Sequence, residues 1–146
     1  MPKASVSLID PDGMALRAMS ESGFQVVMDA GPDVGGKGQG LRPTELTAIS
    51  LAGCTGIDVL SILKKMRVTV TRFDIDVAAD RREEHPRVFN HIDLVYTLDS
   101  PDVKPEQFAR AVSLSAERYC SVSAMLEKTA AIRRVLILNG TELASE

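Results

Sequence analysis

The order of patterned segments predicts an α+β fold. Alternating strands open the chain, one long apolar helix fills its middle, and a hairpin, further helices and a last strand close it. Three observations carry this reading: period-two alternation in the first 29 residues, a run of about 23 residues apolar around most of a helical circumference, and two alternating segments on either side of a charged turn. At 146 residues, 45% hydrophobic and 25% charged, the chain is predicted to be one domain, residues 1–146, with enough apolar surface for a core.

The N-terminal meander is expected over residues 4–29. Residues 4–9 alternate, the turn formers of DPDG at 10–13 follow, residues 14–19 resume the alternation, and SESG at 20–23 leads into a third strand. Residues 31–40 hold five glycines and one proline, which predicts a flexible loop. The central helix is expected over 43–66, with Pro43 suited to its first turn and Glu45 to the positive end of its dipole. Leu46, Ile49, Leu51, Ala52, Ile57, Val59, Leu60, Ile62 and Leu63 surround it, the pattern of a helix buried on nearly all sides. Gly53 and Gly56 mark close approach there, either of a ligand or of a packed neighbour. A β-hairpin is predicted over 68–98, helices over 105–129 with Phe108, Val112 and residues 114–116 inward and Ser121 as the cap of the second, and a strand over 132–138.

Charge and hydropathy narrow the function. A net charge of −3 and a pI near 5.4 give no basic field for nucleic acid or an anionic membrane. The richest apolar stretch is interrupted by Asp58 and Lys64, which reads against a membrane span. The first residues do not read as a secretory signal, so the expected location is the cytoplasm.

In that reducing compartment the two cysteines become informative. Cys54 lies in LAGCTGID at 51–58, within the central helix, and Cys120 lies in RYCSVS at 118–123. Two cytosolic cysteines are either small buried hydrophobes or a pair that cycles between thiol and disulfide. With Ser121 as a helix cap, Cys120 would immediately precede a helix N-terminus, where amides and dipole favour a thiolate.

RAMSESG at 17–23, the glycine-rich loop, PTEL at 43–46 leading to Cys54 eleven residues after the proline, and Cys120 a further 66 residues on form an ordered set. That set resembles the OsmC/Ohr superfamily of organic hydroperoxide reductases, and the wording around the cysteines resembles its YhfA-like branch. The resemblance implies an intertwined homodimer, with antiparallel sheets wrapped around long central helices and active sites at the dimer interface. It also implies a thiol peroxidase without metal, flavin, haem or other cofactor. Cys54 would attack a hydroperoxide and become a sulfenic acid, Cys120 would resolve it to a disulfide, and an external dithiol, often a lipoylated protein in this family, would reduce that disulfide. Arg17 aligns with the family's catalytic arginine, whose guanidinium would stabilise the thiolate and orient the peroxide.

Glu45 departs from the Ohr and OsmC pattern, where the acidic residue directly follows the motif proline; here Thr44 stands in that place. Nine helical positions put Glu45 and Cys54 on opposite faces, so Glu45 either caps the helix, pairs with Arg42 or serves the other subunit's site. Asp58, four residues after Cys54, shares its face as a second arginine partner or a polar patch. Ile57 and Met125 are candidate alkyl contacts. His85 and His91 lack zinc-ligand spacing with the cysteines, Ser50, Ser113 and Ser115 have no triad motif, and GGKGQG at 35–40 lacks the ending of a P-loop and reads as a lid or linker. The alternative class is a non-catalytic redox sensor or small-ligand-binding dimer that uses the same thiols.

Overall fold

The structure is a computed structural model and describes residues 1–144. The chain resolves into two compact units, one up to Thr47 and one from Ala48 onward.

The first unit is built on an antiparallel meander of β1 (Ala4–Leu8), β2 (Leu16–Ser20) and β3 (Gln25–Met28). Its two turns close on backbone bonds from Gly13 N to Asp10 O at 3.0 Å and from Gly23 N to Ser20 O at 2.9 Å. Gly23 takes φ 87°, a conformation that other residues adopt only with strain.

The glycine-rich loop is more ordered than its composition suggests. Asp29 is buried, and its carboxylate accepts hydrogen bonds from the amides of Ala30 (2.7 Å), Gln39 (3.0 Å) and Lys37 (3.2 Å). A Cβ on Gly36 would fall 1.9 Å from the Ala30 carbonyl oxygen, and one on Gly40 would fall 2.5 Å from that of Val27. The expectation of a flexible loop is therefore corrected. The glycines let the loop fold onto itself, and the amides of Ala30, Lys37 and Gln39 are spent on Asp29 instead of on a phosphate.

The helix α1 (Pro43–Lys65) starts in the first unit and continues through the second, about 34 Å long at 1.5 Å per residue. It ends where Arg67 turns left-handed, at φ 60°. Over 18 residues its mean hydropathy reaches 1.8, enough by length and composition alone to cross a bilayer despite Asp58 and Lys64. Leu51, Val59 and Leu63 are instead fully buried in the protein core. The expectation of burial on nearly all sides is corrected as well: Ile49, Ile57 and Leu60 are exposed.

The second unit carries a sheet in the order β4 (Arg72–Arg81), β5 (Phe89–Asp99), β6 (Ala131–Leu138), β7 (Thr141–Glu142). The hairpin β4–β5 is antiparallel and β5–β6 is parallel. A parallel pair needs a long crossover, and α2 (Pro105–Leu114), a π-helical turn (Ser115–Tyr119) and α3 (Ser121–Leu126) supply it. Ile92, Leu94, Tyr96 and Leu98 alternate onto one fully buried face of β5, and they share a core with Leu51, Val59, Leu63, Phe108, Ala111 and Val112. Gly56 permits the helix to approach β4, since a Cβ there would stand 3.2 Å from Ile75 Cδ1; Gly53 has open space around it.

Candidate functional site

Cys54 comes from the middle of α1, and Cys120 from the junction between the π-helical turn and α3. Both are free thiols, Cys54 half-buried and Cys120 buried. Their sulfurs and a carboxylate oxygen of Asp58 all lie within 4.8 Å of one another. The helix repeat explains the third member, because Asp58 follows Cys54 by one turn and projects from the same face.

The α3 terminus is organised differently from the sequence expectation. Cys120 itself, not Ser121, is the N-cap, and its Sγ accepts from the Ser123 amide at 3.3 Å. The free first-turn amide of Val122 is directed at Cys54. Burial pushes the Cys54 thiol up, yet the Val122 amide, the Cys120 thiol and the Ser121 hydroxyl all donate to its sulfur. Together they outweigh the burial and the opposing charge of Asp58, and bring Cys54 below the ordinary thiol range. Burial dominates at Cys120 and pushes its thiol up, despite help from Ser123. The helix start that seemed to activate Cys120 thus activates its neighbour.

Behind the sulfurs runs a chain of hydroxyls. Ser115 Oγ donates to Asp58 Oδ2 at 2.9 Å, Ser115 and Thr55 meet at 2.8 Å, and Thr55 meets the Tyr96 hydroxyl at 2.9 Å. Because Ser115 spends its single proton on the carboxylate, Thr55 must donate to Ser115 and Tyr96 to Thr55, so every hydroxyl points toward Asp58. Burial pushes the Tyr96 phenol up and keeps it a donor. Arg134 acts on the same phenol as a charge and a hydrogen-bond donor, and its Nη2 reaches Ser123 Oγ at 3.2 Å. Its buried Nε has no partner among the described residues.

Arg17 and Glu45 belong to the first unit. Arg17 is exposed on β2, opposite Val27 on one side and Ser7 on the other. Glu45 is exposed in the first turn of α1, where Oε2 accepts from the Arg42 amide at 2.8 Å, one half of a capping box. Ile57 and Met125 are exposed at 72% and 62%. Among the described residues, the one group of donors close enough to hold a metal is Cys54, Asp58 and Cys120, without His85 or His91. A structural zinc site takes four such ligands.

The joint role of Thr55, Ser115 and Tyr96 escapes sequence reasoning because buried hydroxyls leave no pattern of their own, and Arg134 reads there only as a charge within a strand. One signal was available: Thr55 and Asp58 lie three residues apart on the helix, and Tyr96 shares the buried parity of β5 with Ile92, Leu94 and Leu98.

Residues 36–133 match the family described as OsmC-like protein. The chain is 43% identical over 117 residues to Protein YhfA of Escherichia coli K12, covering 80% of this chain and 84% of that one. Among solved structures, a hypothetical protein from Aquifex aeolicus superposes with TM-score 0.81 at 29% identity, covering 95% of this chain and 96% of the other. An organic hydroperoxide resistance protein from Elizabethkingia anophelis shares the fold with TM-score 0.69 at 11% identity, covering 95% and 96%.

Proposed function

The chain belongs to the OsmC-like protein family, and from that membership and the paired sulfurs we propose a thiol-dependent peroxidase that reduces organic hydroperoxides to alcohols. The observation that carries this reading is the unequal thiol pair. Cys54 is half-buried with its thiol brought down, and Cys120 is buried, pushed up and close enough to meet it. The Cys54 thiolate attacks the terminal peroxide oxygen, the alkoxide leaves as alcohol, and a sulfenic acid remains. Cys120 then closes the disulfide, and an external dithiol such as a lipoylated protein reopens it, so no metal or organic cofactor takes part.

Arg17 is the cation that would orient the peroxide oxygens in the assembled protein, and Glu45 serves its own helix as a cap. An intertwined homodimer accords with the apolar residues Ile49, Ile57 and Leu60 exposed along α1, and its proposed location is the cytoplasm. Ile57 and Met125 offer the alkyl group of a hydroperoxide an apolar surface.

The test is steady-state turnover of cumene hydroperoxide and hydrogen peroxide with dihydrolipoamide as reductant. Turnover faster with the organic peroxide, and lost in Cys54→Ser, is the expected result. Oxidation that stops after one equivalent, with no turnover, would replace the enzyme with a redox sensor.

A further inference from the structure

We propose that Asp58 is the proton shuttle of disulfide closure, taking the proton of Cys120 and returning it to the oxygen that leaves Cys54. The inference rests on the peroxidase reading above and adds a catalytic group to it.

Closure has a proton problem. The Cys120 thiol is buried, so its sulfur must lose a proton before it attacks, and the sulfenic hydroxyl on Cys54 must gain one before it departs. In the balanced step, the Cys120 sulfur donates its electron pair to the Cys54 sulfur, the S–O bond breaks, the S–S bond forms, and the Cys120 proton leaves with the hydroxyl as water. One group placed beside both sulfurs can do both jobs. Asp58 is that group, with its oxygen within 4.8 Å of each sulfur, a span that a direct contact or a single water covers.

The surroundings keep Asp58 ready for this role. Among the described residues no ion pair neutralises it, whereas Asp74 and Asp93 do have cationic partners. Its hydrogen-bond donor is Ser115, backed by Thr55 and Tyr96, and this chain of hydroxyls orients the carboxylate. That leaves lone pairs free for a thiol proton. The groups beside Asp58 are Cys54 from α1, Ser115 from the π-helical turn and Cys120 from the start of α3, while Lys65, two turns on in α1, and Tyr119 line the same cleft. With Lys65 and Tyr119 it also lines a cleft of about 280 Å³, so a proton held there can exchange with water.

A negative charge beside the attacking thiol has a cost, since it opposes the Cys54 thiolate. Removing it should therefore affect the two half-reactions in opposite directions. The experiment is rapid mixing of reduced wild type, D58N and D58E with one equivalent of cumene hydroperoxide. Sulfenic acid is read with a cyclic 1,3-diketone trap, and disulfide by mass after acid quench.

D58N is expected to form sulfenic acid at least as fast as wild type and then to hold it, closing about 100-fold more slowly at pH 7. Its closure rate should rise with pH as hydroxide takes over, more steeply than that of wild type. D58E should restore most of the rate. Closure in D58N at the wild-type rate and with the wild-type pH profile would overturn the proposal, as would equal slowing in D58N and D58E, which would mean lost packing. Wild type that consumes no hydroperoxide would overturn the peroxidase reading itself, and the shuttle with it.

Discussion

Asp29 and Asp58 are two carboxylates held in contrasting ways. Asp29 accepts three backbone amides in the glycine-rich loop, and the amide of Gln39, helped by those of Ala30 and Lys37 against burial, holds its carboxyl below the usual range. Asp58 accepts one hydroxyl at the end of a relay and faces two sulfurs. The first carboxylate is consumed by the fold, with its lone pairs spent on the chain around it. The second keeps acceptor capacity and is placed where protons must move. A carboxylate's neighbours, more than its burial, decide whether it serves structure or chemistry.

Four substitutions test this contrast. The largest stability effect is expected for Gly36→Ala, which drives a Cβ to 1.9 Å from the Ala30 carbonyl oxygen and pulls open the loop around Asp29. A loss of about 3 kcal/mol is predicted, read from denaturant unfolding. Asp29→Asn should cost less and change the acid limb of stability. The folded-state pKa of Asp29 lies below its unfolded value of about 3.9, so its contribution is fully present above that value and is lost as pH falls through the folded pKa. The variant should lose stability at neutral pH and show a flatter decline on acidification, measured by unfolding at several pH values.

In the second unit, Tyr96→Phe removes the phenolic proton at the head of the relay and leaves Thr55 without that donor. The expected loss is about 1 kcal/mol in unfolding free energy. Glu45→Gln should have the smallest effect, about 0.5 kcal/mol, because an amide oxygen can still accept from the Arg42 N–H. Hydroperoxide turnover that falls with Glu45→Gln while stability holds would give Glu45 a chemical role instead of a cap.

The sulfurs offer a contrast of their own, readable by iodoacetamide alkylation against pH in the two single-cysteine variants. Cys54 should react with the lower midpoint and Cys120 with the higher one. Reversed midpoints would make Cys120 the attacking residue.

Much of the fold was legible because its signals are local. Turn formers at 10–13 and 20–23 divide the first three strands, and the alternation of Ile92, Leu94, Tyr96 and Leu98 gives the buried face of β5. The π-helical turn at Ser115–Tyr119 had no such signal, and the capping role fell to Cys120 because a thiol can take the place that a serine hydroxyl usually fills. The site was half legible. Its cysteines stand out by rarity, but the relay joins Thr55 to Tyr96 and to Ser115 across 41 and 60 residues, a separation that no periodicity records. Exposure along α1 was misread because the hydrophobic pattern reports what a helix can bury, and this chain alone leaves Ile49, Ile57 and Leu60 uncovered.

The most direct test of the account is intact mass and free-thiol count after reduced protein meets one equivalent of cumene hydroperoxide, with Cys120→Ser alongside. The account predicts that wild type loses both thiols together with two hydrogens in mass, and that the variant gains a single oxygen on Cys54. Two thiols that survive the peroxide in wild type would contradict it.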